Sequence, residues 1–421
     1  MKFKLIFICM FLHAVSAHAQ LTPQQWQADL AVLKRILPEQ APFFFDRMSK
    51  KEFEQAYDQL LAKLPSLNNF QTALSVQALL AKAKDANTYA DLTKFMMAEN
   101  PIPFGLGYYA DAVYVSGTVK RFENAMAKKV LKINGLDIKE VVNRLSPYVA
   151  VENEYSVYKD GFNYLRFPRA FQLAGISPND TLVLTVENDQ KGTETVKVHP
   201  INLKNGKDMM PLQTQQEKRD IRWQPPQSYY TNHWLAEDST LYVQYNRCVS
   251  AEMALAAGDS VLASQLPSFR IFTDSLLAFL GRTPNIKILF DLRFNMGGNP
   301  SDGFQLIEKL KAMPAVNKKG KLFVATNLYT GGAAIQLADQ FGKETKALLI
   351  GEIPAGRVYQ YGTSKSFTLP NSKLPIYFPS KLMQDGKGGP DMLKLDEKIP
   401  LSYEDYRTGK DPVLDFVRKQ R

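Results

Sequence analysis

Between residue 229 and the C-terminus, apolar runs alternate with helical patterns, and this alternation constrains the fold more than any other feature of the chain. The runs "TLYVQYNRC", "NIKILFDLRFNMGG", "KLFVATN" and "ALLIGE" are typical of buried strands, and a helical pattern follows each of the first three. Buried strands joined by helices usually form a parallel sheet with helices packed on it. The pattern therefore predicts a layered α/β core with largely parallel strands over 229–421.

The first part of the mature chain, residues 20–98, has a different, helical pattern. Thr22 and Pro23 are suited to the N-cap and first position of a helix, which Pro38 is expected to end. A capping box in "SKKE", 49–52, predicts a second helix, and apolar spacing predicts a third over 69–84. We expect these apolar stripes to form a hydrophobic core.

Residues 99–205 change to the two-residue period of β-strands, with Gly, Asn and Asp turns between the runs. The segment "VLKINGLDIKEVVNRL" predicts a strand, an Asn-Gly turn and a helix. This region resembles the peptide-binding PDZ domain, and "PFGLGYY" resembles the carboxylate-binding loop of such domains. A polar, Gln-rich connector over 206–228 separates it from the core. The whole chain is thus predicted to be an α/β protein of several domains.

The first nineteen residues have the features of a signal peptide. Lys2 and Lys4 precede an apolar run that is too short to cross a bilayer, and Ala17-His18-Ala19 fits a cleavage site. An uncleaved membrane anchor is the alternative interpretation. We expect cleavage, an exported protein that is periplasmic or secreted, and no transmembrane anchor in the mature chain.

Charge and metal-ligating residues exclude several classes of function. The formal net charge of +10 becomes +8 without Lys2 and Lys4, and the basic residues are scattered, so we expect no binding to nucleic acid. The only cysteine beyond the signal peptide is Cys248, which we expect to be a buried, unreactive thiol. The only histidines beyond the signal peptide are His199 and His233. With no HExxH or CxxC motif, the sequence predicts neither a metal site nor a cofactor.

Three segments of the core, in order, resemble the tail-specific, or C-terminal-processing, serine peptidase family. "LFDLRFNMGG" is similar to its Asp-Leu-Arg-x-Asn-x-Gly-Gly segment, "NLYTGGAA" to its nucleophile turn, and "LIGEIPAGR" to its Gly-Glu-x-x-x-Gly element. The helical N-terminus and the PDZ-like region are also usual in this family, so the resemblance extends over nearly the whole mature chain. It implies the fold of these peptidases and a groove that receives an extended peptide.

The chain departs from the family at the positions that the resemblance identifies as catalytic. Gly332 stands where the family has its serine nucleophile, and a glycine cannot form an acyl-enzyme. One branch of the family uses a lysine base, which is replaced here by Arg357, and the other uses a histidine, replaced by Asn87. Neither side chain accepts a proton at neutral pH. The family's glutamate after the nucleophile is Ile335 here.

The elements that would bind a peptide are retained. Gly297 and Gly298 in the glycine loop, and Ala333 at the start of a helix, offer backbone N–H groups to a peptide carbonyl. The favoured hypothesis is therefore a catalytically impaired homologue that binds peptides or unfolded protein segments. It leaves open whether any enzyme activity remains, and the sequence does not indicate the oligomeric state.

Two alternatives keep an enzyme activity. The first is a working serine-type endopeptidase with a displaced catalytic set, in which Thr330 is the nucleophile and His233 the base. The second is a different hydrolase on the same fold, with Asp291 and Glu352 as its acidic groups. Asp291 is more simply explained as the partner of Arg293 or as a cap of the loop that follows it.

Overall fold

The computed structural model describes residues 20–110, 112–202, 208–212, 220–223, 229–283, 285–359, 361–382 and 392–420. The expected signal peptide, residues 1–19, lies outside the described residues, as does much of the expected connector. Within the described part of the chain, no helix combines the length and apolarity needed to cross a bilayer.

The N-terminal region is helical, as its sequence pattern predicts. Thr22 caps the first helix and Ser49 the second, each in a capping box. The expectation that Pro38 ends the first helix is wrong: the helix continues for two residues, and the Ala41 N–H donates to the Leu37 carbonyl at 2.9 Å to close the last turn. A proline this close to the end disturbs only one turn. The elements are α1 (Pro23–Gln40), α2 (Lys50–Lys63), α3 (Asn69–Ala81), β1 (Tyr89–Ala90) and α4 (Thr93–Met96).

A hairpin from the far end of the chain completes the hydrophobic core of this region. Strands β14 (Tyr361–Thr368) and β15 (Pro375–Leu382) pair with each other, and β15 also pairs with β1 in an antiparallel register. Ile376 and Phe378 are fully buried in the same cluster as Trp26 and Leu30 of α1. The hairpin lies within 229–421, which the sequence assigns to the α/β core, yet its contacts are with the N-terminal helices. Pairing across nearly 300 residues leaves no signal in local periodicity.

The middle region is an antiparallel sheet with short helices beside it. The predicted strand, Asn-Gly turn and helix are present, with a two-residue strand between the turn and the helix. The strand order is β2-β3-β4-β6-β7, with β5 paired to β4 and β8 paired to β3. The elements are β2 (Phe104–Tyr109), β3 (Ala112–Thr118), β4 (Lys129–Ile133), β5 (Leu136–Asp137), α5 (Ile138–Leu145), α6 (Ser156–Asp160), α7 (Pro168–Leu173), β6 (Leu182–Glu187), β7 (Thr193–Val198) and β8 (Met210–Pro211).

The C-terminal core is built on a sheet with the order β16-β13-β12-β11-β10-β9 among the described residues. All neighbouring pairs are parallel except β9 with β10, which confirms the prediction of a largely parallel sheet. The elements are β9 (Tyr230–Leu235), β10 (Thr240–Tyr245), α8 (Ala251–Ala256), α9 (Ser260–Gln265), α10 (Phe269–Arg282), β11 (Lys287–Asp291), α11 (Ser301–Lys311), β12 (Leu322–Thr326), α12 (Ala333–Glu344), β13 (Leu348–Gly351), β16 (Glu397–Lys398), α13 (Tyr403–Thr408) and α14 (Pro412–Lys419).

Helices cover both faces of this sheet. On one face α10, α11 and α12 pack through Leu276, Leu306 and Leu337. On the other face α14 packs through Leu414 and Val417. The strand residues between these layers are buried on both sides, which explains why β10, β11 and β12 are continuous apolar runs in the sequence. Together the three regions form a mixed helix and sheet protein of several domains.

Candidate functional site

The glycine loop after β11 is held closely against the segment that follows β10. Gly297 and Gly298 have φ of +112° and +131°. A Cβ on Gly298 would lie 2.2 Å from the carbonyl oxygen of Cys248, a distance that no side chain can occupy. Cys248 and Gly298 form a parallel β-bridge, in which the Cys248 N–H donates to the Gly297 carbonyl at 3.1 Å. Residue 298 must therefore be glycine for the loop to pass here.

Asn295 connects this loop to its neighbours. Its Nδ2 donates to the Tyr245 carbonyl, and its Oδ1 accepts from the Gly297 N–H, both at 2.9 Å. Its own carbonyl accepts from the Gly331 N–H at 2.9 Å. The Gly297 N–H is thus engaged within the loop, whereas the Gly298 N–H has no acceptor in the part of the chain that the structure describes. Of the two loop glycines proposed to bind a peptide, Gly298 has the available donor.

Gly332 lies at the sharp turn between β12 and α12. Its φ of 50° and ψ of −125° are strained for any residue with a Cβ, and serine nucleophiles in several hydrolase folds stand on strained strand-to-helix turns of this kind. The glycine loop contacts this turn, because a Cβ on Gly297 would lie 3.2 Å from the Gly332 Cα. Among the described residues, the N–H groups of Gly332 and Ala333 have no acceptor. The turn presents donors and a helix N-terminus, but residue 332 supplies no reactive atom.

The two residues considered as a displaced catalytic pair lie apart. Thr330 is 1% exposed, and its Oγ1 donates to the Leu292 carbonyl at 3.1 Å and accepts from the Asn327 N–H at 3.0 Å. These bonds hold the turn together. His233 is exposed on β9, three strands from β12, a separation of roughly 14 Å at the usual strand spacing.

Asn87 is half buried in a tight turn at the end of the N-terminal region. Its backbone N–H donates to Asp85 Oδ1 at 3.2 Å, and the Thr88 hydroxyl donates to Asp85 Oδ2 at 2.6 Å. The Asn87 Nδ2 donates to the Tyr361 carbonyl at 2.8 Å. The amide of Asn87 therefore acts as a hydrogen-bond donor to the hairpin, and burial raises the pKa of Asp85.

Arg357 is buried and is held by Glu152 of the middle region. The Arg357 backbone N–H donates to Glu152 Oε2 at 3.0 Å, and its Nε donates to the Glu152 carbonyl at 3.1 Å. The other carboxylate oxygen of Glu152 accepts from the Ala86 N–H at 2.9 Å. One carboxylate thus connects the segments that contain Asn87 and Arg357. Burial raises the pKa of Glu152 to about 7, despite the hydrogen bond from Ala86.

The loop that contains Arg357 also contacts the Gly332 turn. The Ala355 N–H donates to the Leu328 carbonyl at 3.1 Å, and the Ser156 hydroxyl donates to the Ala355 carbonyl at 3.1 Å. The sequence patterns did not point to Glu152 or Ser156. No sequence signal distinguishes them, because their partners in the other two regions are 66 to 205 residues away along the chain.

Asp291 pairs with Arg293, as predicted, within a fully buried ionic network. Arg293 donates to Asp291 through Nε at 2.8 Å and through Nη2 at 2.7 Å, and to Asp411 at 2.7 and 2.6 Å. Burial by itself would raise the pKa of Asp291, but the charge and hydrogen bonds of Arg293 outweigh it and lower the pKa. Asp291 is thus held as an ionised structural group. Among the described residues there is also no cluster of three His, Cys, Asp or Glu side chains that could hold a metal ion.

The buried thiol of Cys248 lies beneath the glycine loop. It is fully buried, and its sulfur lies 3.3 Å from the Asn295 Nδ2, which donates to it. Burial raises the pKa of Cys248 to about 11. The prediction of a buried thiol is confirmed, and a thiol with this pKa is protonated and a poor nucleophile near neutral pH.

The fold and the site together define an α/β protein with a glycine loop beside a strained strand-to-helix turn. No protein-family model matches the sequence, and no significant match is found among curated proteins. The solved structure of mature CPAF is similar, with 11% identity and a TM-score of 0.60 over 94% of this chain and 97% of CPAF. CPAF complexed with lactacystin matches with 11% identity and a TM-score of 0.59 over 94% of this chain and 98% of that one.

A weaker likeness is found to the photosystem II D1 C-terminal processing protease. It has 14% identity and a TM-score of 0.40 over 94% of this chain and 96% of the protease, a score too low to define a shared fold. At 11% identity, the likeness to CPAF establishes the fold of this chain, which is that of CPAF over nearly the whole length of both.

Proposed function

We propose that this chain is an exported homologue of the tail-specific serine peptidases that binds peptide or unfolded protein segments and is catalytically impaired. Two kinds of evidence support the family. The segments "DLRFNMGG", "NLYTGGAA" and "LIGEIPAGR" occur in the family's order, and the chain has the fold of CPAF over nearly its whole length.

The main observation in support of impaired catalysis is the geometry at Gly332. The strained turn remains, with φ of 50°, and unengaged N–H donors lie beside it, but the residue at the turn has no side chain. An acyl-enzyme requires an oxygen or sulfur that can bond to the carbonyl carbon. The two alternative base positions are occupied by Asn87, which donates to the Tyr361 carbonyl, and by Arg357, which keeps its proton.

Peptide binding is supported by the unengaged backbone N–H donors at the site and by an edge strand in the middle region. The N–H groups of Gly298 and Ala333 are oriented by the loop and the turn and have no acceptor among the described residues. In the middle region, which we propose to be PDZ-like, β2 is an edge strand of the described sheet. An extended peptide can add to such an edge through main-chain hydrogen bonds.

The test is to purify the chain from Gln20 onward and to measure hydrolysis of an unfolded polypeptide together with binding of fluorescent peptides. We expect binding by fluorescence anisotropy and no turnover beyond the slow acceleration, about 10³–10⁴-fold over water, that donors and binding alone can give. Robust turnover that Thr330→Val abolishes would contradict the proposal. Labelling of the native protein by a serine-directed covalent probe would support an active endopeptidase with a displaced catalytic set.

Export is a separate part of the proposal, based on residues 1–19. We expect cleavage after Ala19, so that the mature protein begins at Gln20. Cell fractionation and mass determination of the N-terminal peptide test this. An intact leader that remains in the membrane fraction would indicate an anchored protein.

A further inference from the structure

A small cavity lies beside the Gly332 turn, at the contact between the α/β core and the middle region. Its volume is about 140 Å³, or roughly the room of four to five water molecules. Leu328 and Glu352 line it from the ends of β12 and β13, and Tyr108 and Tyr155 line it from the middle region. The carboxyl ends of parallel strands and the contacts between domains are where ligands most often bind.

Glu352 provides the charge in this cavity. Its Oε1 accepts from the Leu401 N–H at 3.0 Å, whereas its Oε2 has no hydrogen-bond donor within the described ranges. Glu352 is half buried, and burial raises its pKa, which means that its charge is less well solvated than that of a surface carboxylate. A carboxylate in this state gains most from a cation that enters the cavity and donates to the remaining oxygen.

The surroundings of Glu352 contain charges of both signs. Glu154 and Asp160 add negative potential, since Glu154 raises the pKa of Tyr155 and Asp160 raises that of Tyr329, in each case after burial. Arg222 and Arg293 lower the pKa of Glu352, but Arg293 is already paired with two aspartates. The exposed Lys398 also lines the cavity and forms no ion pair with Glu352 in the described part of the chain.

The two tyrosines make the cavity suited to a long cationic side chain. Tyr108 and Tyr155 both line the cavity, and the Tyr108 ring also packs against Tyr158, with the ring centroids 4.4 Å apart. Where an aromatic ring lines a cavity, an ammonium group is attracted by the ring quadrupole and an alkyl stem packs on the ring. A plain alkyl chain would gain the packing but would leave Glu352 unpaired in a poorly solvated place.

We propose that this cavity is a specificity pocket that takes the side chain of a lysine from a bound peptide, with the ammonium on Glu352 and the stem between Tyr108 and Tyr155. This assignment rests on the proposed peptide-binding function. It identifies the bound peptides as segments with a lysine at one fixed position relative to the Gly332 turn.

The experiment uses fluorescent peptides of one length in which a single lysine is moved through successive positions. A matched set carries norleucine, which keeps the alkyl stem but has no ammonium. At one position we expect the lysine peptide to bind at least about tenfold more tightly than its norleucine partner. Glu352→Gln should bring the two affinities at that position to within about twofold of each other, since a glutamine attracts no ammonium and leaves no charge unpaired beside norleucine, while its oxygen can still accept from the Leu401 N–H. Glu308→Gln, at an exposed position of α11, is the matched control.

A second variant changes the preference in the opposite direction. Lys398→Met removes a competing cation from the lining and should strengthen the preference for lysine, and an unchanged thermal denaturation midpoint shows that the fold is intact. If the peptides bind but none of them shows a preference for lysine at any position, the assignment of this cavity as a lysine pocket is wrong. The proposed peptide-binding function is not contradicted by that result. If no peptide of either set binds, the proposed peptide-binding function is wrong, and the lysine-pocket assignment that depends on it is wrong as well.

Discussion

The carboxylate of Glu152 accepts a hydrogen bond from the backbone N–H of Arg357 at 3.0 Å and another from that of Ala86 at 2.9 Å. The three residues come from the middle region, the α/β core and the end of the N-terminal helices. This single side chain therefore joins all three regions beside the candidate site. Because its carboxylate is buried, the contribution of Glu152 to the free energy of unfolding depends on pH, and this dependence can be measured.

We expect Glu152 to make the protein less stable as the pH rises. Burial raises its pKa from 4.5 to about 7, so its contribution is fully present below pH 4.5 and is lost as the pH rises through 7. The difference corresponds to about 3 kcal/mol at most. Glu152→Gln, which stays neutral, should reduce the loss of unfolding free energy between pH 5 and pH 8, measured by urea denaturation. Glu140→Gln, on the exposed side of α5, is the control, and an equal loss in wild type and Glu152→Gln would contradict the argument.

Asp411 should be essential for attaching the C-terminal helix. It caps α14 and shares Arg293 with Asp291 inside the protein, so its loss leaves part of a buried charge unpaired. Asp411→Ala should lower the unfolding free energy by about 3–5 kcal/mol. Asp415→Ala removes an exposed partner of Arg418 on the same helix and should cost less than about 1 kcal/mol. The unfolding free energies are measured by urea denaturation. Similar losses for the two variants would show that the buried ionic network does not attach α14 to the core.

The glycine loop should not accept even one added methyl group. Gly298→Ala would bring a Cβ to 2.2 Å from the Cys248 carbonyl at a φ of +131°, so we expect a loss of several kcal/mol, or no folded protein. Gly281→Ala is the matched substitution, because a Cβ there meets nothing within 4 Å. In the helix α10 it should stabilise the protein by about 0.5–1 kcal/mol. Thermal denaturation compares the two, and a stable Gly298→Ala protein would mean that the loop can move away from Cys248.

Introducing a serine nucleophile and a histidine base at the two substituted positions should restore slow peptide hydrolysis. We expect Gly332→Ser combined with Asn87→His to hydrolyse an unfolded polypeptide slowly, since the serine would stand on the strained turn. One ring nitrogen of the histidine could donate to the Tyr361 carbonyl, as Asn87 does, and leave the other to accept a proton. Gly332→Ala with Asn87→His is the control that lacks the nucleophile. A folded but inert serine and histidine variant would show that the donors or the groove no longer fit a peptide bond.

Local patterns predicted the elements well. Thr22 followed by Pro23, and the capping box at Ser49, placed the starts of two helices, because a helix start is decided by residues within one turn of it. The end of α1 was less predictable, since Pro38 opposes the helix while the burial of Leu37 favours it. The start of α11 has no such signal: Pro300 is the N-cap and makes no side-chain hydrogen bond to the helix, and Asn299 Oδ1 accepts from the Ser301 N–H at 3.0 Å.

By itself, the sequence determined which chemical groups are present: no hydroxyl at residue 332, an amide at 87, a guanidinium at 357, and a parallel α/β core to carry them. Only the tertiary structure decided which of these groups meet. Glu152 contacts both alternative base segments, Ile376 and Phe378 fill the core of the N-terminal helices, and Glu352 faces a cavity shared with Tyr108 and Tyr155. Contacts between residues a hundred or more positions apart depend on how whole layers pack, and no short stretch of sequence contains that information.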